Sequence, residues 1–121
     1  MANASREKGT RYEVLVRDYF QDRGWSDCQR LATRAALDLG DLTGIPRFAI
    51  ECRDRQRVEL ARNVDDAEER ARNKRADFGA AVMKRPRRPV GDSYVLMSLD
   101  TFSRILDELL ADQKQLQPPP P

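Results

Sequence analysis

Six consecutive apolar residues, Phe78-Gly79-Ala80-Ala81-Val82-Met83, constrain the fold of this chain more than any other feature. The run does not alternate polar with apolar. As a strand it must therefore be covered on both faces, which makes it a central strand of a sheet with a layer on each side. The flanking sequence supplies those layers. From about Val58 to Ala76 the pattern is helical, with Leu60, Val64, Ala67 and Ala71 at i, i+4, i+7 and i+11. Its small alanines permit close approach to a sheet. Phe102, Ile105, Leu106, Leu109 and Leu110 mark a further amphipathic helix, with Asp100 placed to cap it.

The remaining elements follow by the same periodicities. Tyr12, Leu15, Val16, Tyr19 and Phe20 form one stripe on a helix from Glu7 to about Arg23, and Gly24 ends it in a left-handed conformation. Trp25 to Leu31 reads as a first strand, with Trp25 a buried aromatic. A turn-rich connection over Thr33 to Asp41 leads to a second short strand at Leu42-Thr43. Gly44-Ile45-Pro46 reads as a tight turn into a third strand, Phe48 to Cys52, so these two strands form a hairpin. Ser93 to Ser98 is the last strand. The order α-β-β-β-α-β-β-α specifies an α/β domain with a mixed sheet flanked by helices. Its expected extent is 7–112, with a loosely attached segment at 1–6 and a disordered or extended Gln/Pro-rich tail at 113–121.

Composition removes several functional classes. No apolar run approaches the roughly 18 residues of a membrane span. No apolar signal core is present, so the expected location is intracellular and cytoplasmic. Two cysteines, Cys28 and Cys52, do not make a disulfide scaffold and are read as reduced. The absence of histidine is the strongest exclusion. It removes Ser-His-Asp and Cys-His catalysis and histidine-containing zinc sites, and two cysteines cannot supply a four-cysteine site. Carboxylates, a metal, Lys, Arg and Tyr remain for any chemistry.

The carboxylates are not scattered evenly. Asp38-Leu39-Gly40-Asp41 sets two of them on a Gly-containing turn, and Glu51-Cys52-Arg53 follows after nine intervening residues. On a strand, Phe48, Ile50 and Cys52 point one way while Ala49, Glu51 and Arg53 point the other. Glu51 and Arg53 thus share a face, and the Asp41 turn can fold beside them. Oxygen ligands at this density suit Mg²⁺ or Mn²⁺, and the cation suits a phosphate. The alternative is a solvated acidic turn before an ordinary half-buried strand, in a chain that is 35% charged. The basic residues are 18 arginines against four lysines. The planar guanidinium fork matches phosphate oxygens in pairs, although a GC-rich genome gives the same bias.

The order of elements, taken with these carboxylates, resembles the PD-(D/E)-x-K nuclease superfamily, above all its Holliday-junction-resolvase branch found in archaea and phages. Lys8-Gly9-Thr10-Arg11-Tyr12-Glu13 is similar to the Lys-Gly-x-x-x-Glu that opens the first helix there. Gly40-Asp41-Leu42 stands where the family has Pro-Asp-Ile, and Glu51-Cys52-Arg53 where it has Glu-x-Lys. The resemblance covers roughly residues 7 to 110. It implies a restriction-endonuclease-like core and a Mg²⁺-dependent endonuclease, with Mn²⁺ able to substitute. Branched double-stranded DNA, most closely a four-way junction, is the implied substrate, cut by a homodimer.

Carried onto this chain, the resemblance implies Asp41 and Glu51 as metal ligands and Glu13 as a third from the first helix. Asp38 is an outer ligand or a turn residue. Arg53 replaces the family lysine. It cannot act as a base, because arginine stays protonated, but it can stabilise charge on a phosphoryl group. Lys84 and Lys74 are candidates for a displaced lysine. Lys8, Arg11, Arg34, Arg55 and Arg57 are candidates to line the DNA path, together with Lys84 and the basic loop residues Arg85, Arg87 and Arg88. Asp41→Asn and Glu51→Gln are expected to abolish cleavage without affecting folding. Two other functions fit the same residues: a catalytically silent DNA-binding module, favoured by Arg53, and a restriction- or repair-type endonuclease.

Overall fold

The computed structural model describes residues 2–31, 39–116 and 120. Helix α1 (Ala2–Asp22) is followed by β1 (Gln29–Arg30), β2 (Leu42–Thr43), β3 (Phe48–Arg53), α2 (Leu60–Lys74), β4 (Phe78–Met83), β5 (Tyr94–Leu96), α3 (Leu99–Leu109) and α4 (Ala111–Leu116). The strands form one mixed sheet in the order β1-β2-β3-β4-β5. β3 and β4 are parallel, and every other neighbouring pair is antiparallel. A parallel pair needs a crossover, and α2 provides it. No described helix is long and apolar enough to cross a membrane.

The apolar run behaves as its composition requires: all six residues of β4 are buried. On one face, Tyr12 and Val16 of α1 pack with Cys28, Leu42, Ile50, Cys52 and Val82. On the other, α2 lies so close to β4 that a Cβ added to Gly79 would collide with the Ala67 carbonyl. Small residues on both sides of this contact, Ala67, Ala71 and Gly79, are what permit it. Alternation along β3 follows: Ile50 and Cys52 face α1, while Glu51 reaches an arginine of α2. Tyr12 also donates a hydrogen bond to Ser93 Oγ (2.8 Å), and burial pushes its phenol up to about 12.

Several elements differ from the sequence reading. α1 begins at Ala2 rather than Glu7, and Ala4 to Arg6 are exposed, so local helix propensity extends it. The first strand shrinks to Gln29–Arg30, because the chain after Gly24 turns, with the Cys28 amide donating to the Trp25 carbonyl. Trp25 is 47% exposed and is not core. The tight turn sits one residue later, with the Phe48 amide donating to the Ile45 carbonyl and Arg47 at φ 72°. Leu60 is exposed, and Asn63, Ala67 and Ala71 are the buried stripe of α2. Ser98, not Asp100, caps α3: its hydroxyl accepts from the Thr101 amide. The helical stretch runs on through Leu116, into the start of the expected tail.

The α2–β4 contact yields a direct test. Gly79→Ala forces the two backbones apart, and overpacking of this kind costs about 1–3 kcal/mol. Chemical denaturation should show that loss, whereas Gly9→Ala, with nothing near the added methyl, should show none.

Candidate functional site

The site forms where the C-terminal end of β3 meets the turn before β2. Gly40 has φ 101°, which proline cannot adopt, so the glycine at this position follows from the backbone. Asp41 is then fastened on several sides. Its amide donates to the Ile50 carbonyl (2.8 Å), its carbonyl accepts from the Leu31 amide (2.9 Å), and its carboxylate accepts from the Cys52 amide (2.7 Å).

Arg53 lies between the carboxylates. Its Nη1 is 2.6 Å from Glu51 Oε2 and 3.2 Å from Asp41 Oδ2, and its Nη2 is 3.7 Å from Asp66. Burial lowers the pKa of the guanidinium, but Glu51 and Asp41 outweigh that and hold it above its ordinary value. It is a fixed charge. Glu51 is only 2% exposed and is held from its other side by Arg70 Nε at 3.0 Å. Arg70 and Asp66 were not singled out from the sequence. They lie at i+4 and i on α2 and looked like its solvated face, so only the alternation of β3 pointed toward them.

Glu13 reaches the same region from α1, where Arg30 Nε donates to it at 2.9 Å. Burial raises its pKa, Arg30 opposes this, and the neighbouring Asp41 carboxylate adds to it. Glu13, Asp41 and Arg53 line an open cleft of about 1040 Å³ together with Lys8, Arg30 and Arg55. Asp54 also lines it, taking Lys8 at 3.4 Å and Lys84 at 3.6 Å. Three arginines and three carboxylates face one another across the site: Arg30 pairs with Glu13, Arg53 with Asp41 and Glu51, and Arg70 with Glu51, while Glu13 and Asp41 stand as neighbouring acids.

The other expected residues divide clearly. Lys8 and Arg55 line the main cleft, and Lys84 reaches its edge through Asp54. Arg57 lines a second cleft beside α2, and Arg11 is exposed and borders neither. Arg85 stacks over Tyr94 at 5.6 Å, Arg88 pairs with Asp92 at 2.9 Å, and Arg87 is exposed at φ 60°. All three follow β4, whose last residue Met83 is in register with Arg53. Lys74 lies at the opposite end of β3, donating to the Phe48 carbonyl, so it does not reach Arg53. Cys52 is core as expected, with its thiol pushed up by burial. Asp38 and Arg34 fall outside the described residues.

One expectation is revised by burial. Glu51 is no replaceable surface acid. Neutralising it leaves two guanidiniums beside an uncharged amide, and breaking a buried pair costs about 3–5 kcal/mol. Glu51→Gln is therefore expected to lower stability as well as to change the site.

The chain matches no protein-family model, no curated protein and no solved structure.

Glu13 gives the site a pH signature. A carboxyl whose folded pKa lies above its ordinary 4.5 contributes stability when protonated and loses it as pH rises through the folded value. Glutamine mimics the protonated form and does not titrate. The melting temperature of Glu13→Gln should therefore gain on that of the parent as pH rises from 4.5 toward neutrality. A constant difference across that range would show that Glu13 ionises without penalty.

Proposed function

We propose that the protein is a metal-dependent DNA endonuclease hydrolysing phosphodiester bonds in branched DNA, most specifically a Holliday-junction resolvase. The observation that carries this reading is the meeting of Asp41 and Glu51 at one cationic atom, Arg53 Nη1, with Glu13 beside them and an open cleft in front. The mixed sheet, with a parallel β3–β4 pair and carboxylates at the end of β3, is compatible with a restriction-endonuclease-like core.

The donor set can be judged on its chemistry. Two carboxylates directed at a single cation suit Mg²⁺, or Mn²⁺ in its place. Arg53 holds that point, so Asp41 and Glu51 would serve as ligands only if its guanidinium left it, with Glu13 as a third carboxylate. Among the described residues no three Asp, Glu, Cys or His side chains already stand together as a metal cluster. When bound, such an ion would supply a Lewis acid and a water of lowered pKa. Arg53 would offer its guanidinium to a phosphate, and Lys8 and Arg55 on the cleft wall would hold the flanking backbone.

A second reading has its own support. Glu51 is buried and clamped by two arginines, a resting state that satisfies the site without a metal. On this reading the chain is a catalytically silent DNA-binding module that keeps the nuclease architecture.

Asp41→Asn separates the two, because Asp41 is more accessible than Glu51. The parent should cleave a four-way junction in Mg²⁺ or Mn²⁺, and Asp41→Asn should abolish cleavage while still binding the junction. Arg53→Ala should slow single-turnover cleavage by about 10²–10³, the usual effect of removing one charge-stabilising group, while Arg53→Lys should keep activity. A parent that binds junctions but cuts neither branched nor linear DNA with either metal would leave the silent module as the function.

Cutting two strands symmetrically calls for two sites, and we propose a homodimer formed through α3. Leu99, Phe102 and Leu109 lie at i, i+3 and i+10 on one face and are 78%, 47% and 73% exposed. Sedimentation should report a dimer that Phe102→Glu combined with Leu109→Glu converts to a monomer. A monomeric parent at micromolar concentration would remove α3 as the interface.

A further inference from the structure

We infer that the smaller cleft, on the α2 side of the segment from Arg53 to Arg57, is a binding subsite for a backbone phosphate of the DNA strand that crosses the main cleft. The inference rests on the DNA-binding element shared by both readings above and not on the metal. The cleft has a volume of about 480 Å³, and Arg53, Arg55, Arg57, Arg62 and Arg70 all line it. Its wall carries two carboxylates, Glu59 and Asp66. Glu59 is 3.5 Å from Arg62, and Asp66 is 3.7 Å from Arg53 and 3.9 Å from Arg70. Two acids at these separations leave the cleft net positive.

Burial sets how the floor is built. Glu51 does not line the cleft; it lies beneath it, 2% exposed, and holds Arg53 and Arg70 at 2.6 and 3.0 Å. Each arginine side chain is about 16–17% exposed, so both have given up much of their rotamer freedom before any ligand arrives. Glu51 is thus a positioning residue for the cleft. At the rim, Arg55 and Arg57 are exposed and have no carboxylate within ion-pair distance among the described residues. Two fixed guanidiniums below and two uncompensated ones above make a site for an anion.

The class of anion follows from the surroundings. No aromatic side chain lines the cleft, so it offers a base no ring to stack on. Arg53, Arg55 and Gln56 line both clefts, which places the two on either side of one ridge. A chain of regularly spaced phosphates can occupy both at once, whereas a single small anion occupies only one. A phosphodiester strand is the ligand that uses the whole surface.

The test measures binding of a labelled single-stranded oligonucleotide in EDTA, by anisotropy across a series of salt concentrations. Arg57→Gln with Arg62→Gln removes two exposed charges that line this cleft and not the larger one: Arg57, unpaired among the described residues, and the Glu59-paired Arg62. Arg72→Gln with Arg75→Gln removes the same charge at the far end of α2 and serves as the control. The cleft variant should bind about tenfold more weakly, and its slope of log K against log salt should fall by about 1–1.5 units, as expected for two contacts to a single strand. The control should match the parent. Equal losses in both variants, or none in the cleft variant, would overturn the subsite, as would a parent that does not bind the oligonucleotide. Junction cleavage by the same proteins reports on the nuclease proposal separately: a parent that cuts with an unaffected cleft variant refutes the subsite alone.

Discussion

The buried Glu51 carboxylate and its two guanidiniums are the interaction on which the site depends. A carboxylate at 2% exposure carries a desolvation cost of several kcal/mol unless it is paired and hydrogen-bonded. Arg53 comes from its own strand and Arg70 from α2, so the neutralisation also locks the helix to the sheet. The backbone contact between Ala67 and Gly79 brings α2 near enough for Arg70 to reach. Packing by small residues and pairing of buried charge are one arrangement seen at two places. Removing the closeness would strand the charge, and removing the charge would leave α2 held by the narrow Asn63, Ala67 and Ala71 stripe and by the Lys74 bond to the Phe48 carbonyl.

This arrangement explains why arginine stands at position 53. One nitrogen of the fork meets both Glu51 and Asp41 while the other leans toward Asp66. A lysine ammonium is a single point and cannot span the three acids from one strand position. The arginine at position 53 thus answers three acids at once, two from the sheet side and Asp66 from α2.

Much of the scaffold was legible because periodicity reports burial. The unbroken run 78–83 specified a doubly covered strand, and alternation along 48–53 placed Glu51 and Arg53 on one face and Cys52 in the core. Asp41 was legible because it follows a glycine that adopts positive φ. What faces Glu51 was not legible. Asp66 and Arg70 have the spacing of any solvated helical ion pair, and nothing local distinguishes a pair turned toward a sheet. Trp25 misled for a related reason: hydrophobicity alone does not say that a turn carries the ring outward. Lys74 was a reasonable candidate by element, but a helix antiparallel to β3 puts its last turn at the wrong end of that strand.

The near-balance of charge, +2 over 121 residues, conceals a division of labour among the arginines. Those with interior acids, Arg30, Arg53 and Arg70, are spent on holding Glu13, Asp41 and Glu51 in place. Arg47 ties the turn before β3 to Asp77 and to Glu108 of α3. Guanidiniums without such partners carry the least compensated charge, and so have the most to offer a polyanion through counterion release. Arg55 and Arg57 meet that condition and stand directly after the clamp. The strand therefore delivers two kinds of arginine in succession: one immobilised by buried acids, then two left open to solvent. A polyanion approaching this ridge meets an attractive rim first and a rigid floor second. For the phosphate strand proposed above, that order would let long-range attraction gather the ligand before the clamped side chains orient it.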